Sequence, residues 1–295
     1  MRRYQIKDLE RLTGIKAHTI RIWEKRYNIL TPERSDTNIR YYSDDDLKRL
    51  LNISLLIQQG SKISKLSAFK DEEINAQVNE SLQKTTEIDK DIEPFITGLT
   101  ISMVELDEEK FNLIYFKAIH KMGFYQTMMK LIYPFLVKIG VMWGVDEVNP
   151  AQEHFISNLM RSKMLSAIED LPNVYTKKEQ YLLYLPQNEL HETGLIFAHY
   201  LLKERGFKVI YLGQSVPFRD LISVVDYSKP THVMTILTSP QTIKRMQTLI
   251  NDSIEAFTSS EILFVGLRNF EDQLSLSSDI VRLNSIPEFV SYLSK

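Results

Sequence analysis

The sequence predicts three successive architectures: a winged helix-turn-helix, a central four-helix bundle and a doubly wound parallel sheet. Three observations carry that prediction. A basic head sets two short amphipathic segments around a glycine. A middle region keeps helical periodicity through four apolar-rich runs. The last part of the chain alternates short apolar strands with helical segments. The resulting divisions are 1–72 for the head, 73–92 for a helical linker, 93–175 for the bundle and 176–295 for the α/β part.

Composition bounds what these parts can be. The 295 residues are 43% hydrophobic and 25% charged, an ordinary globular balance. No apolar run approaches the ~18 residues needed to span a bilayer, and "MRRYQIKDLERL" lacks the apolar core of a secretory signal. Without cysteine there is no disulfide framework and no thiolate for metal or catalysis. A cytoplasmic protein with no membrane partner is the expectation. The net charge of −2 is unevenly spread: residues 1–43 carry +5 and the remainder −7. A basic head on an acidic body is the charge pattern of a nucleic-acid-binding domain joined to something else.

Within the head, Ile6, Leu9 and Leu12 share one helical face, and Gly14 supplies the positive φ that a tight turn needs. In "KAHTIRIWEKRY", Ile20, Trp23 and Tyr27 fall on one side, and His18, Arg21 and Lys25 on the other. Trp23 and Tyr27 are therefore read as core. The pair of helices makes a helix-turn-helix whose second helix can enter a major groove. Pro32, Ser35, Asp36 and Asn38 then mark a hairpin wing flanked by Arg34 and Arg40, two guanidinium groups placed for phosphate. Ser43 caps the next helix, with Asp44 to Asp46 in its first turn, and that helix runs on to Gly60. Arg21 is the leading DNA contact, followed by Lys16, His18, Thr19, Arg34, Arg40 and Tyr41. From Tyr4 to about Ala68, including "QQGSKISKL", these residues resemble the winged head of the MerR family of transcriptional regulators. The resemblance implies double-stranded promoter DNA as partner and binding as a homodimer or homotetramer across half-sites.

"FKDEEINAQVNESLQKTTEIDKDI" is polar and free of Pro and Gly, a helix that frays into a linker. Four helical runs follow between Glu93 and Leu171, with Met and aromatic residues as core filling. Trp143 ends one run, and Pro150 opens the next with Glu153 and His154 in its first turn. Taken alone, that spacing reads as a buried Trp and a surface Glu-His pair.

Beyond Lys177, "QYLLYLP", "KVIYLG", "THVMTIL", "EILFVGL" and "DIVRLN" are apolar strands alternating with helical stretches. This is a parallel, flavodoxin-like or Rossmann-type sheet covered on both faces. Ligands of such folds bind beyond the carboxyl ends of the strands, and "QNELHETG" leaves the first strand there. A zinc peptidase needs a second His four residues after His191, where Leu195 stands. A phosphate cradle needs several glycines, and only Gly194 is present; a receiver domain needs clustered carboxylates. What remains is Glu-x-His-x-x-Gly. There Glu189 can bond one imidazole nitrogen of His191 while the other ligates a metal.

This stretch resembles the lower-ligand loop of cobalamin-binding domains, and Trp-x9-Glu-His resembles their helical cap in cobalamin-dependent regulators. Essentially the whole chain is similar to the CarH/LitR group of adenosylcobalamin-dependent photoreceptor repressors. That resemblance implies His191 as axial ligand to the cobalt of a cobalamin, most readily adenosylcobalamin. Glu189 would orient His191, Gly194 would let the nucleotide tail pass, and Trp143, Glu153 and His154 would line the adenosyl side. Thr235 and Leu237 stand where such domains carry Ser-x-Leu, and Gly266 with Leu267 where they carry Gly-Gly. Light would cleave the cobalt–carbon bond and break the assembly that holds DNA. Gly144 stands where the photoreceptors place a second histidine after the cap Trp. The function expected is a non-enzymatic DNA-binding regulator of the repressor kind that senses cobalamin, with light as an input. The alternatives are a regulator whose C-terminal fold has lost the cofactor and a corrinoid methyl carrier, which has no use for a winged head.

Overall fold

A computed structural model describes residues 4–35, 37–84, 92–143, 150–237, 242–266, 274–275 and 277–294. The chain divides into two compact units, Met1–Leu159 and Met160–Lys295.

In the first unit, α1 (Ile6–Thr13) ends at Gly14, whose φ of 73° lets its N–H close on the Glu10 carbonyl. α2 (Ala17–Tyr27) buries Ile20 against the head's core and leaves His18, Arg21 and Lys25 exposed, with Trp23 and Tyr27 half-buried. The wing is a two-residue antiparallel pair, β1 (Glu33–Arg34) on β2 (Arg40–Tyr41). Tyr4 and Tyr42 exchange backbone hydrogen bonds of 2.9 Å and so stitch the chain's start to the wing's exit. Ser43 caps α3 (Asp44–Gln58) by accepting from the Asp46 amide, and the Asp46 carboxylate returns to the Ser43 amide.

After the short α4 (Ile63–Leu66), α5 (Asp71–Lys84) occupies the first part of the expected linker and buries Ile74, Val78 and Leu82. Residues 85–91 lie outside the described residues. α6 (Glu93–Glu105) is buried all round from Pro94 to Val104, because α3 and α7 (Glu108–Thr127) both pack on it. Gly98 is the point of closest approach, since a Cβ there would stand 2.7 Å from the Ile114 side chain. A break lies inside α7 at Gly123, whose φ is 76°. A π-helical turn, Met128–Ile132, which the periodicity did not foretell, leads into α8 (Tyr133–Trp143). α9 (Pro150–Glu169) then begins at the predicted proline.

The second unit holds a five-stranded sheet formed by β3 (Gln180–Pro186), β4 (Lys208–Val216), β5 (His232–Ile236), β6 (Glu261–Val265) and β7 (Ile280–Leu283). Their order is β4-β3-β5-β6-β7, and every pairing is parallel. Between them run α10 (Thr193–Glu204), α11 (Phe218–Ser228) and α12 (Ile243–Ala256), with α13 (Ile286–Tyr292) closing the chain. Helices on both faces explain why β3 is buried at five consecutive residues instead of alternating. One face packs Leu182, Tyr184 and Phe264 against Leu221 of α11 and Met246 of α12. The strand order reverses direction between β3 and β5, and a crevice opens at their carboxyl ends. Leu267, Asp36 and Gly144 lie outside the described residues. Among the described residues no helix is long and apolar enough to cross a membrane.

Candidate functional site

The loop leaving β3 is pinned from three directions. Its Glu189 amide donates to the Pro186 carbonyl at 2.9 Å, and Asn188, at a φ of 70°, donates its amide to Ser215 Oγ at 3.1 Å. Gln214 Nε2 donates to the Leu190 carbonyl at 2.7 Å, and Arg245 from α12 donates to the Gln187 carbonyl at 2.5 Å. Two donors from outside the loop, Gln214 and Arg245, and one outside acceptor, Ser215, thus hold it at the switch point.

Within this frame the Glu189 side chain is wholly buried while the His191 side chain is 64% exposed. Glu189 Oε1 accepts from the His191 amide at 3.0 Å and lies 2.7 Å from its Nδ1. A carboxylate at Nδ1 fixes the tautomer with the proton there, so metal ligation by this ring falls to Nε2. The predicted Glu-His relation is thus present, with the acid inside and the imidazole outside. Gly194 is buried in the first turn of α10.

Glu192, a neighbour the sequence reading passed over, is also buried. It receives Arg161 Nε of α9 at 2.5 Å and the Tyr211 hydroxyl of β4 at 3.1 Å. The hydrogen bond to Glu192 holds the Arg161 guanidinium firmly protonated, and burial followed by the Glu192 charge pushes the Tyr211 phenol well above its usual range. His199 stacks on Tyr211 at 5.1 Å, and burial lowers its imidazole to about 4. An acid just ahead of a helix was a readable signal for Glu192. Its partners, distant in sequence, were not.

Across the switch point, Thr235 is 1% exposed and its hydroxyl has no hydrogen-bond partner among the described residues. A buried, unmet hydroxyl costs about 1–3 kcal/mol, so it points to a ligand group at the strand end. Leu237 lies beside it and, with Tyr184, Pro186, Val216 and Phe218, walls a cavity of about 170 Å³ at the carboxyl ends of β3, β4 and β5. Gly266 has a reason of its own. With φ at 93°, a Cβ would stand 2.3 Å from the Leu237 carbonyl oxygen, so the glycine serves the chain's own close approach.

In the first unit, Glu153 and His154 are neighbours in the opening turn of α9, with Oε2 and Nδ1 3.2 Å apart and the His154 side chain 73% exposed. Gln152 ties that turn to the Val104 carbonyl of α6 at 3.0 Å. Trp143 ends α8 as expected; its side chain lies outside the described residues.

The head presents a different electrostatics. His18, Arg21, Lys25 and Arg26 are exposed along α2, and Thr19 is half-buried among them. Lys16 pairs with Glu10 at 3.2 Å, and Arg40 with Glu24 at 3.2 Å. Glu10 also accepts from the Ala17 amide, the chief reason its carboxyl sits below the usual range. Arg34 Nη1 donates to Asn38 Oδ1 across the wing turn at 2.5 Å, and Tyr41 beside it is half-buried.

Comparison with known proteins finds two families that match parts of the chain. The family of MerR HTH regulatory proteins matches residues 4–72, and the B12 binding domain family matches residues 95–166. The HTH-type transcriptional repressor CarH of Myxococcus xanthus is 27% identical over 239 residues, spanning 79% of this chain and 78% of its own. The repressor CarA of the same organism is 26% identical over 266 residues, spanning 89% and 86%. The monomethylamine corrinoid protein of Methanosarcina barkeri superposes with a TM-score of 0.52 at 12% identity. That match covers 65% of this chain and 93% of that one, a likeness of fold alone.

Proposed function

Starting from a MerR-type regulatory chain that carries a B12 binding domain and is homologous to CarH and CarA, we propose a DNA-binding transcriptional repressor that senses a cobalamin. Adenosylcobalamin is the form we assign, with light as an input. The observation that carries this reading is the buried Glu189 holding the exposed His191 at the switch point, on the same chain as a helix-turn-helix. The cobalt of a bound cobalamin would take one imidazole from the protein, and His191 Nε2 would supply it. Bound adenosylcobalamin supplies a cobalt–carbon bond that light can cleave.

The protein's own residues do the rest. Glu189 keeps the His191 ring oriented, with Nε2 left for the metal. The Thr235 hydroxyl meets the nucleotide tail, with Leu237 packed beside it and Gly194 giving the tail room. Gly266 keeps the backbone at the end of β6 close enough to frame the same channel. Trp143, Glu153 and His154 would line the adenosyl side, a role that rests on the sequence resemblance. Arg21, His18 and Lys25 meet DNA from α2, and Arg34, Arg40 and Tyr41 meet it from the wing, as a homodimer or homotetramer on paired half-sites. No enzymatic step is needed, and a DNA partner implies a cytoplasmic address.

A second reading keeps the DNA-binding function and replaces cobalamin by another signal. It is favoured by Leu267, which puts a side chain next to Gly266 where related domains carry a second glycine. One titration separates the two. The full chain is bound to duplexes from its own promoter without cofactor, with adenosylcobalamin in the dark, and after illumination. Cofactor-dependent affinity that His191→Ala abolishes supports cobalamin sensing, whereas equal affinity in all three conditions leaves only the second reading.

A further inference from the structure

The exposed stripe of α2 contains one residue that the charge argument leaves unexplained. His18, Arg21, Ile22 and Lys25 follow the i, i+3, i+4, i+7 spacing of a single helical face, and all four are exposed. Ile22 is 53% exposed, whereas Ile20, two residues earlier, is completely buried. Among the described residues of the head, Ile22 and the wing's Ile39 are the only large apolar side chains left in the open. Ile22 contributes little to the core, and a β-branched residue is a poorer helix former than the Lys or Arg that would otherwise suit a solvated stripe. Neither folding nor solubility accounts for it.

Its neighbours suggest what covers it. A protein partner would have to bury four basic groups, His18, Arg21, Lys25 and Arg26, around one isoleucine. A DNA major groove matches that arrangement, because phosphates line its edges and its floor holds one apolar group, the C5-methyl of thymine. We propose that Ile22 is a specificity-determining residue that reads a thymine methyl in each half-site, while the surrounding cations hold phosphate and give no sequence preference. This inference rests on the DNA-binding reading above and adds base choice to it.

Deoxyuridine offers a clean probe, since it lacks only the methyl. Duplexes recovered by the full-length chain from a randomised pool are remade with each thymine replaced in turn by deoxyuridine. Binding is then followed by fluorescence anisotropy for wild type, Ile22→Ala and Ile22→Lys. Losing one buried methyl-sized contact weakens binding about fourfold. The expected result is a loss of that size per half-site at one thymine for wild type, and equal binding to both duplexes for Ile22→Ala. Ile22→Lys, by adding a cation, binds more tightly at low salt and remains indifferent to the methyl.

Two results would overturn the inference while leaving DNA binding intact: no deoxyuridine substitution weakens wild type, or the same substitution weakens all three chains equally. A change in the oligomeric mass of DNA-free Ile22→Ala would assign Ile22 to a protein contact and count against it. If no duplex is recovered at all, the DNA-binding reading itself falls, and the inference falls with it.

Discussion

The recognition head and the β3 loop both pair a carboxylate with a base, and they do so for opposite ends. In the head, Lys16 is 70% exposed and Glu10 30% exposed, so their pair is held by a weak, screened attraction. Such a lysine can exchange its own acid for a phosphate at little cost. In the β3 loop the acid is wholly buried and the base stands outside. Glu189 cannot turn to water, and its oxygen is committed to His191 through both amide and ring. The exposed pair leaves its cation able to change partners. The buried acid aims one ring nitrogen at a single position. Burial of the acid, more than the identity of the pair, separates a movable contact from a fixed one.

The most damaging way to break this contrast is to remove the buried acid. Glu189→Ala leaves His191 in place and frees its ring to rotate, which costs about 10–100-fold in cobalamin affinity by analogy with outer-shell partners of metal ligands. Equilibrium dialysis of wild type and variant measures it, and an unchanged affinity would mean that Glu189 only builds the loop. Thr235→Val sharpens the same point from the other side of the crevice. Removing a buried, unpartnered hydroxyl should stabilise the cofactor-free chain by about 1 kcal/mol and weaken cobalamin binding. Thermal melts with and without cofactor should therefore move in opposite directions.

Arg21→Ala tests the exposed half. It should lower the slope of log affinity against log salt by about 1 unit. Arg40→Ala should change that slope less, because Arg40 already serves Glu24 and is 33% exposed. Equal slopes for the two variants would erase the distinction between a free stripe and a tied wing.

The smallest effect concerns acid stability. Burial favours the neutral His199 ring, so the folded protein takes up that proton only near pH 4, while an unfolded chain takes it near the ordinary histidine value of about 6.5. Between those values the unfolded state binds the extra proton, and stability falls as the pH drops. His199→Phe keeps the stack on Tyr211 and should flatten that acid limb of the melting profile. Lys203, whose charge adds to the lowering, is left unchanged as the internal reference.

These contrasts also mark what was legible beforehand. The Ser43 cap, Gly14, Pro150 and all five strands were readable because each is written in local chemistry: a turn residue, a helix period or an apolar run. The Glu189–His191 relation was readable for the same reason, since two residues of one loop cannot avoid each other. The π-helical turn at Met128–Ile132 carries no residue that demands it. The Arg161–Glu192–Tyr211 cluster joins a helix, a loop and a strand brought together only by folding. The linker expected before residue 92 begins as a packed helix, because Ile74, Val78 and Leu82 recur every four residues in a segment whose polarity concealed them.

The measurement that bears most directly on the account is a visible absorption spectrum of the full chain, mixed with adenosylcobalamin in the dark and desalted, beside His191→Ala. The account predicts a coloured wild type with the spectrum of histidine-ligated, base-off cobalamin, and a variant whose spectrum lacks that signature. A colourless wild type, or identical spectra for the two proteins, would contradict His191 as the cobalt ligand.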